Sequence, residues 1–580
     1  MRTTMPRTRN NGRGIPSRFA CAAAVLILFG RVDSISAGES AELRTQTNCM
    51  VEIALTASRD YQDAFHDVKL DVAFENPQGK PLKVPAFWAG GRVWKARYAS
   101  AMAGTHRWKS ICSVPEDRGL HEISGTVAIE PYRGENALFA HGPVRVASDR
   151  RHFEYADKTP FFWLGDTWWM GLCRRLHWPD EFQQLCADRR AKGFTVIQIV
   201  AGLYPDMPAF DPRGANEAGF PWEKEYSRIR PEYFDRADER IFYMVEQGFV
   251  PCIVGAWGYH LPWLGTDRMK AHWRYLIARY GALPVVWCAA GEGTMPFYGS
   301  PHGKEEADMQ KAGWSDVIRY IRSTDPFNRM ITIHPSRSAR ETVDDPSILD
   351  FDMHQTGHAP QEAIGGMARQ VRESYGRQPA MPVIAGESSY EGLDLREWGG
   401  SVLSADAARQ MFWTGLMNNG AAGGTYGANG IWQVNRRDAP YGPSPHGRSW
   451  GSVPWDEAMK RPGSSEVSLA RQFLSRYPWY RLEPMPDTAA WADEQPAKND
   501  LMPFASGTGT DLRIVYVPQA RPIVVKQLAA KTAYSASIFD PIHGKTESVS
   551  PAATDDAGSW KCTPTNREHD WVLVLEKGGR

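Results

Sequence analysis

Between residues 161 and 426 the chain repeats one pattern: a short apolar run, then a longer stretch in which apolar residues return every three or four positions. Short apolar runs without alternation read as strands buried on both faces, and such strands belong to parallel sheets crossed over by helices. The runs lie at 161–165, 196–201, 250–256, 285–290, 330–334, 349–354, 383–386 and 421–426. Amphipathic stretches fall between them at 179–192, 267–280, 305–323, 361–375 and 405–418. Eight such units fit a closed (β/α)8 TIM barrel over residues 140–484 better than a doubly wound sheet. The pattern also fixes where chemistry belongs, because catalytic groups of such a barrel collect where strands open into C-terminal loops.

Two of the runs end in the same dipeptide: Val285-Val286-Trp287-Cys288-Ala289-Ala290-Gly291-Glu292 and Pro382-Val383-Ile384-Ala385-Gly386-Glu387. They are the fourth and seventh strands, so Glu292 and Glu387 are carried to one rim. Two carboxylates from separate strands are the working parts of a retaining glycoside hydrolase, one protonating the leaving oxygen and one attacking the sugar carbon. Long segments at 204–231 and 427–463, rich in Trp, Pro and Gly, follow strands two and eight and are expected to wall the cleft. Other residues near strand ends are candidates for sugar contact. Asp166 is a hydroxyl partner or a helix cap, with both roles open. Trp168, Trp169, Trp257, Trp263 and Trp432 divide between barrel core and a stacking floor. His260, His334, His354, Tyr390 and Tyr426 are expected to bind hydroxyls or orient the nucleophile, and Glu391 is an alternative catalytic carboxylate.

A length of 580 residues exceeds one core, so further domains are expected. Short alternating strands over 45–132 read as an immunoglobulin-like β-sandwich, with Phe87, Trp88 and Trp108 as its core aromatics, and 133–150 reads as a linker. Residues 485–580 turn strand-rich again and read as a second β-sandwich. Arginines at 2, 7, 9, 13 and 18, an apolar stretch at 19–30 and small residues at 34–37 read as a signal peptide over 1–37. The protein is therefore expected to be exported, periplasmic or secreted, and free of the membrane after cleavage. Cys21, at the start of the apolar stretch, is not placed for lipid attachment. Of the remaining cysteines, Cys49 and Cys112 fall in one small domain, where a disulfide and two free thiols are both open. Formal charge is zero, so no basic excess points to nucleic acid, and the many tryptophans suit a carbohydrate as the partner.

Four segments, in order, carry a family resemblance: Phe161-Phe162-Trp163-Leu164-Gly165-Asp166-Thr167-Trp168-Trp169; Lys192-Gly193-Phe194-Thr195-Val196-Ile197-Gln198; Gly386-Glu387-Ser388-Ser389-Tyr390-Glu391-Gly392; and Gly420 through Trp432. The barrel resembles the apiosidase-like catalytic domain family, associated with glycoside hydrolase family 140. The N-terminal sandwich resembles the domain of unknown function that often precedes it. The C-terminal unit, with Phe539-Asp540-Pro541 and Asp570-Trp571-Val572-Leu573, is similar to a domain labelled as collagen-binding. Strand order in retaining barrel glycosidases implies Glu292 as acid/base and Glu387 as nucleophile, with no cofactor. One position departs: family members with apiosidase activity carry aspartate where this chain has Glu292, so the resemblance implies the hydrolysis more than the sugar.

Two rival readings remain at this stage. His354 and His358 have a spacing seen in metal sites, with His334, Asp352 and Glu292 as further ligands of a metal-dependent hydrolase or isomerase. A non-catalytic polysaccharide- or matrix-binding protein is the other, motivated by the flanking sandwiches.

Overall fold

A computed structural model describes residues 42–358, 363–493, 501–564 and 567–578; the predicted signal peptide and Cys21 lie outside them. Eight parallel strands form the centre: β1 (Trp163–Thr167), β2 (Val196–Val200), β3 (Val250–Val254), β4 (Val286–Cys288), β5 (Ile331–Thr332), β6 (Asp352–Gln355), β7 (Val383–Glu387) and β8 (Gly423–Tyr426). Their order is β5-β4-β3-β2-β1-β8-β7-β6. Between β5 and β6 the circle is joined by the Asp350 amide donating to the Ile331 carbonyl at 2.9 Å and the Thr332 hydroxyl donating to the Phe351 carbonyl at 3.0 Å. The fold is the expected TIM barrel flanked by β-rich units.

Around it lie the helices α1 (Asp180–Ala191), α2 (Pro231–Glu246), α3 (Thr266–Tyr280), α4 (Gly303–Thr324), α5 (Ile364–Gly376), α6 (Ala405–Asn418) and α7 (Pro462–Leu474). Proline opens α2 and α7 at a position where its missing N–H costs nothing. Asp180 and Glu181 begin α1 and Arg189 and Arg190 end it, which matches the helix dipole. Gly423, at φ 131, has no alternative, since a Cβ there would stand 2.1 Å from the Trp163 carbonyl oxygen on the neighbouring strand.

The predicted linker is structured. Val144–Val146, Phe153–Tyr155 and Pro160–Phe161 form a three-stranded antiparallel sheet, so Phe161 belongs to that sheet and the barrel strand starts at Trp163. Phe153 is fully buried, with its ring 5.4 Å from Trp163 and 5.3 Å from Phe351. It plugs the end of the barrel opposite the strand C-termini.

The N-terminal unit pairs a five-stranded sheet with a three-stranded one, and Trp108 sits in the core between them. Phe87 does not. It packs in the barrel's own apolar cluster, with the guanidinium carbons of Arg279 at 4.4 Å and Arg97 at 4.9 Å from its ring centroid. Arg97 and Arg279 both pair with Asp238 of α2, joining sandwich to barrel through a buried charge cluster. Cys49 and Cys112 are free thiols. Cys49 lies beside Met50 on the barrel side while Cys112 is in the sandwich core, so no bridge joins them.

The C-terminal unit likewise has a six-stranded and a three-stranded sheet. One face of the larger sheet enters the barrel's cluster: Phe539 stacks on Phe473 of α7 at 4.1 Å, and Tyr516 lies parallel to Trp413 of α6 at 5.8 Å. Asp570 accepts from Arg409 of α6 at 2.6 and 3.0 Å and from the Tyr516 hydroxyl at 2.9 Å.

Candidate active site

A cleft of about 290 Å³ opens over the C-terminal ends of the strands, and both Glu292 and Glu387 line it. Glu292 is aimed by a close crossing of two loops. The Gly291 amide donates to the Ala256 carbonyl at 2.9 Å, and a Cβ on Gly291 would meet the Trp257 ring at 2.1 Å. Glu292 itself holds φ 41, a left-handed conformation that costs a non-glycine residue about 1–3 kcal/mol and persists only where the surroundings impose it. Its Oε2 accepts from the Trp257 indole N–H at 3.2 Å.

Glu387 ends β7. A register slip between His354 and Gln355 turns the Gln355 amide toward it, donating to Oε1 at 3.1 Å. His358 Nε2 meets the same oxygen at 2.8 Å, and His334 Nε2 stands 3.1 Å from Oε2 in an ion-pair approach that lacks hydrogen-bond alignment.

These surroundings push the two carboxyls apart. Burial raises Glu292 to about 7, and the neighbouring charge of Glu387 adds to the rise. Burial acts on Glu387 in the same sense, but the His334 and His358 imidazoles outweigh it and hold this carboxyl well below the usual range. His358 is raised, because its contact with Glu387 overcomes the desolvation that would lower it. At neutral pH one carboxyl therefore keeps its proton in a substantial fraction of molecules while the other is ionised.

The rest of the lining is aromatic with buried polar tips. Trp169, Trp257, Tyr390 and Trp432 are in the cleft as anticipated. The Tyr390 hydroxyl, the Trp432 indole N–H and Gln355 Oε1 have no hydrogen-bond partner among the described residues, which is where a bound hydroxylated ligand would supply one. Seven anticipated contacts lie elsewhere, Trp263 among them, since it does not line the cleft. Asp166 is fully buried behind β1, accepting from Arg189 Nε at 2.6 Å and from the Trp168 indole at 2.7 Å, so neither Asp166 nor Trp168 faces the cleft. Tyr426 donates to Glu391 at 2.6 Å behind β8, and the Gly463 amide donates to the same oxygen at 3.0 Å, which removes Glu391 as a catalytic alternative. His354 is held by Asp352 at 2.8 Å and Gln370 at 2.8 Å behind β6. His260 packs under the loop after β3 with Nε2 on the Tyr204 carbonyl at 3.1 Å. His334 is buried beside the cleft, where it supports Glu387 and does not reach substrate space.

The proposed metal pair is likewise split, since all four ring nitrogens of His354 and His358 are engaged with different partners.

Strand parity explains the misplacements. Trp163, Gly165 and Thr167 share one side of β1, and Trp163 donates to Thr425 at 3.1 Å across the interior, so Asp166 and Tyr426 must face outward. On β6 the bulge makes the same division between His354 and Gln355. Residues missed beforehand are Asp206, Gln355, Tyr298, Trp398, His446 and Trp450. Asp206, at φ 57 in the loop after β2, accepts from the Tyr298 hydroxyl and is raised by burial. Trp398 and Trp450 stack at 4.4 Å on the rim, and Trp398 is 37% exposed. Gln355 ends β6, and the others come from loops, of which 204–231 and 427–463 were expected to wall the cleft by composition, without the individual residues.

The model of the "Apiosidase-like, catalytic domain" matches residues 147–481. A domain of unknown function matches 46–113, and the "Putative collagen-binding domain of a collagenase" matches 485–576. No curated protein matches the chain. Among solved structures, one named "Glycoside hydrolase" is 22% identical with a TM-score of 0.61, covering 77% of this chain and 99% of its own. A glycoside hydrolase family 5 protein from Bacteroides vulgatus is 21% identical with a TM-score of 0.60, covering 76% and 94%. Another protein from that organism, titled a "putative glycoside hydrolase", is 16% identical with a TM-score of 0.65, covering 92% and 100%. These likenesses are of fold.

Proposed function

The chain belongs to the family of the apiosidase-like catalytic domain, and from that premise we propose that it is an exported, retaining glycoside hydrolase acting on a complex plant or algal polysaccharide or its oligosaccharides. The observation carrying this reading is the pair of carboxyls on one cleft with opposed proton affinities, Glu292 raised to about 7 and Glu387 held ionised. A general acid and a nucleophile must differ in this way at one pH.

In the first step Glu387 attacks the anomeric carbon while Glu292 gives its proton to the departing glycosidic oxygen, leaving a glycosyl ester on Glu387. In the second, Glu292 takes a proton from water as that water displaces Glu387. His334 and His358 keep Glu387 charged between turnovers. The Trp257 indole orients Glu292. Trp169, Trp432 and Trp257 offer faces for the apolar side of a sugar ring. Export rests on the leader at 1–37.

The test is stereochemical. Proton NMR of fresh product should show the substrate's own anomer first, with the other anomer growing in by mutarotation. First appearance of the opposite anomer would replace double displacement with a water-mediated inversion.

A further inference from the structure

Far from the cleft in the chain, the C-terminal sandwich brings together Asp540, His543 and His569, whose ligand atoms all lie within 4.8 Å of one another. Asp540 and His543 belong to the hairpin turn between strands Ala533–Phe539 and Thr546–Ala553, and His569 precedes strand Trp571–Lys577. We propose that these three side chains form a binding site for a zinc-type divalent cation, unconnected with catalysis.

Asp540 with His543 alone would be an ordinary capped turn. Oδ1 accepts the amides of Ile542 at 2.9 Å and His543 at 3.1 Å, while Oδ2 meets His543 Nδ1 at 2.9 Å. His569 changes that reading, because it arrives from a different segment and places Nε2 3.7 Å from the same Oδ2. Its Nδ1 lies 2.7 Å from the Asp570 carbonyl, which can only accept, so Nδ1 carries the hydrogen. In the neutral ring the lone pair is then on Nε2, facing Asp540. A ligating histidine is typically fixed in this way, with its second nitrogen donating to a carbonyl or carboxylate.

Both anchors are firm. Asp540 is buried and its second oxygen is held by backbone, and Asp570 is pinned by Arg409 and Tyr516. His543 is the adjustable member, with its side chain 60% exposed. Two imidazoles and one carboxylate suit zinc, with bonds of about 2.0–2.2 Å and a fourth position for water. Drawing the donors to tetrahedral spacing takes rotation of the exposed His543 and a small approach of His569 Nε2, now 3.7 Å from Oδ2, where bonds of about 2.0–2.2 Å put tetrahedral donors about 3.3–3.6 Å apart. A bound cation would tie the hairpin to the segment that docks on α6, bracing the sandwich against the barrel.

Titrating zinc chloride into the full chain after chelator treatment tests this by calorimetry, alongside melting temperature with and without zinc. One tight site is expected, with a rise in melting temperature. His569→Ala and His543→Gln should each weaken that site at least about tenfold and remove the rise. His543→Gln is informative whatever His569→Ala does to folding, because His543 is exposed. Absence of binding by the parent chain, or equal binding and an equal rise in the His543→Gln chain, would overturn the proposal.

Discussion

The same kind of residue meets opposite fates on the two sides of the barrel wall. Asp166, Asp352 and Glu391 stand behind it, each close to a strand end and each held by protein partners: by Arg189 and Trp168, by Ser338, Ser374, Arg340 and His354, and by Tyr426 and the Gly463 amide. Glu292 and Glu387 stand in front. They share a cleft whose neighbouring polar tips are left without protein partners, and their proton affinities are driven apart. Burial is common to both groups. A buried carboxylate with all its bonds made is structural, whereas one held ready beside unfilled donors can be used by a ligand.

Glu387→Gln gives the largest contrast. Removing the charge while keeping the shape should cut kcat by at least about 10⁴-fold, with circular dichroism and melting temperature unchanged or higher. A residual rate within tenfold of the parent would place the nucleophile elsewhere.

Glu292→Gln should cost about 10²–10⁴-fold on substrates with poor leaving groups and far less on activated aryl glycosides. In the parent, kcat/KM should fall as pH rises through about 7, where Glu292 loses its proton, and this limb should vanish in the variant. Stability gives an independent sign. A carboxyl raised in the folded state binds more protons there than when unfolded, so the parent loses stability as pH rises from the unfolded value of about 4.3 to about 7. Glu292→Gln should therefore gain on the parent at pH 8, by an amount on the order of 3–4 kcal/mol, and hold no such advantage at pH 4. Denaturant melts at the two pH values read this directly.

Asp166→Asn should behave the other way. It takes the anion from Arg189 Nε and leaves this buried guanidinium with Asp188 alone, at a cost of about 3–5 kcal/mol in a denaturant melt, while kcat/KM of the folded enzyme stays within about twofold. A large kinetic loss without a stability loss would erase the distinction between the two sides.

His358→Asn removes one of the imidazoles that hold Glu387 ionised. The acid limb of kcat/KM should move to higher pH, since burial would then pull the Glu387 affinity for protons upward. The smallest effect is expected from dialysis against a chelator: kcat/KM unchanged, because two carboxyls suffice for the chemistry.

Much of this was legible in the chain. The apolar runs place all eight strands, and the two Gly-Glu endings deliver two of the three carboxyls that line the cleft. Reading strand ends without their parity drew in Asp166, Tyr426 and His354, which alternate to the outer face. Asp206 and Trp450 lie in segments expected to wall the cleft but were not singled out, and Tyr298 and Trp398 gave no signal, because all four reach the cleft on loops whose paths are set by packing among themselves. Phe87 looks like sandwich core in sequence, and only the docked domain shows that it packs with the barrel. That docking also makes residues 485–580 inseparable from barrel stability, since the larger sheet covers α6 and α7 with apolar side chains.

The opposed protonation of the two carboxyls is best read without any substrate, by carbon NMR titration of protein labelled at the glutamate side-chain carboxyl. One resonance should titrate near pH 7 and be missing from Glu292→Gln, while the resonance missing from Glu387→Gln should stay at its ionised position down to at least pH 4. If both resonances titrate together near pH 4, or if the one near 7 belongs to Glu387, the division of roles between the two residues is wrong.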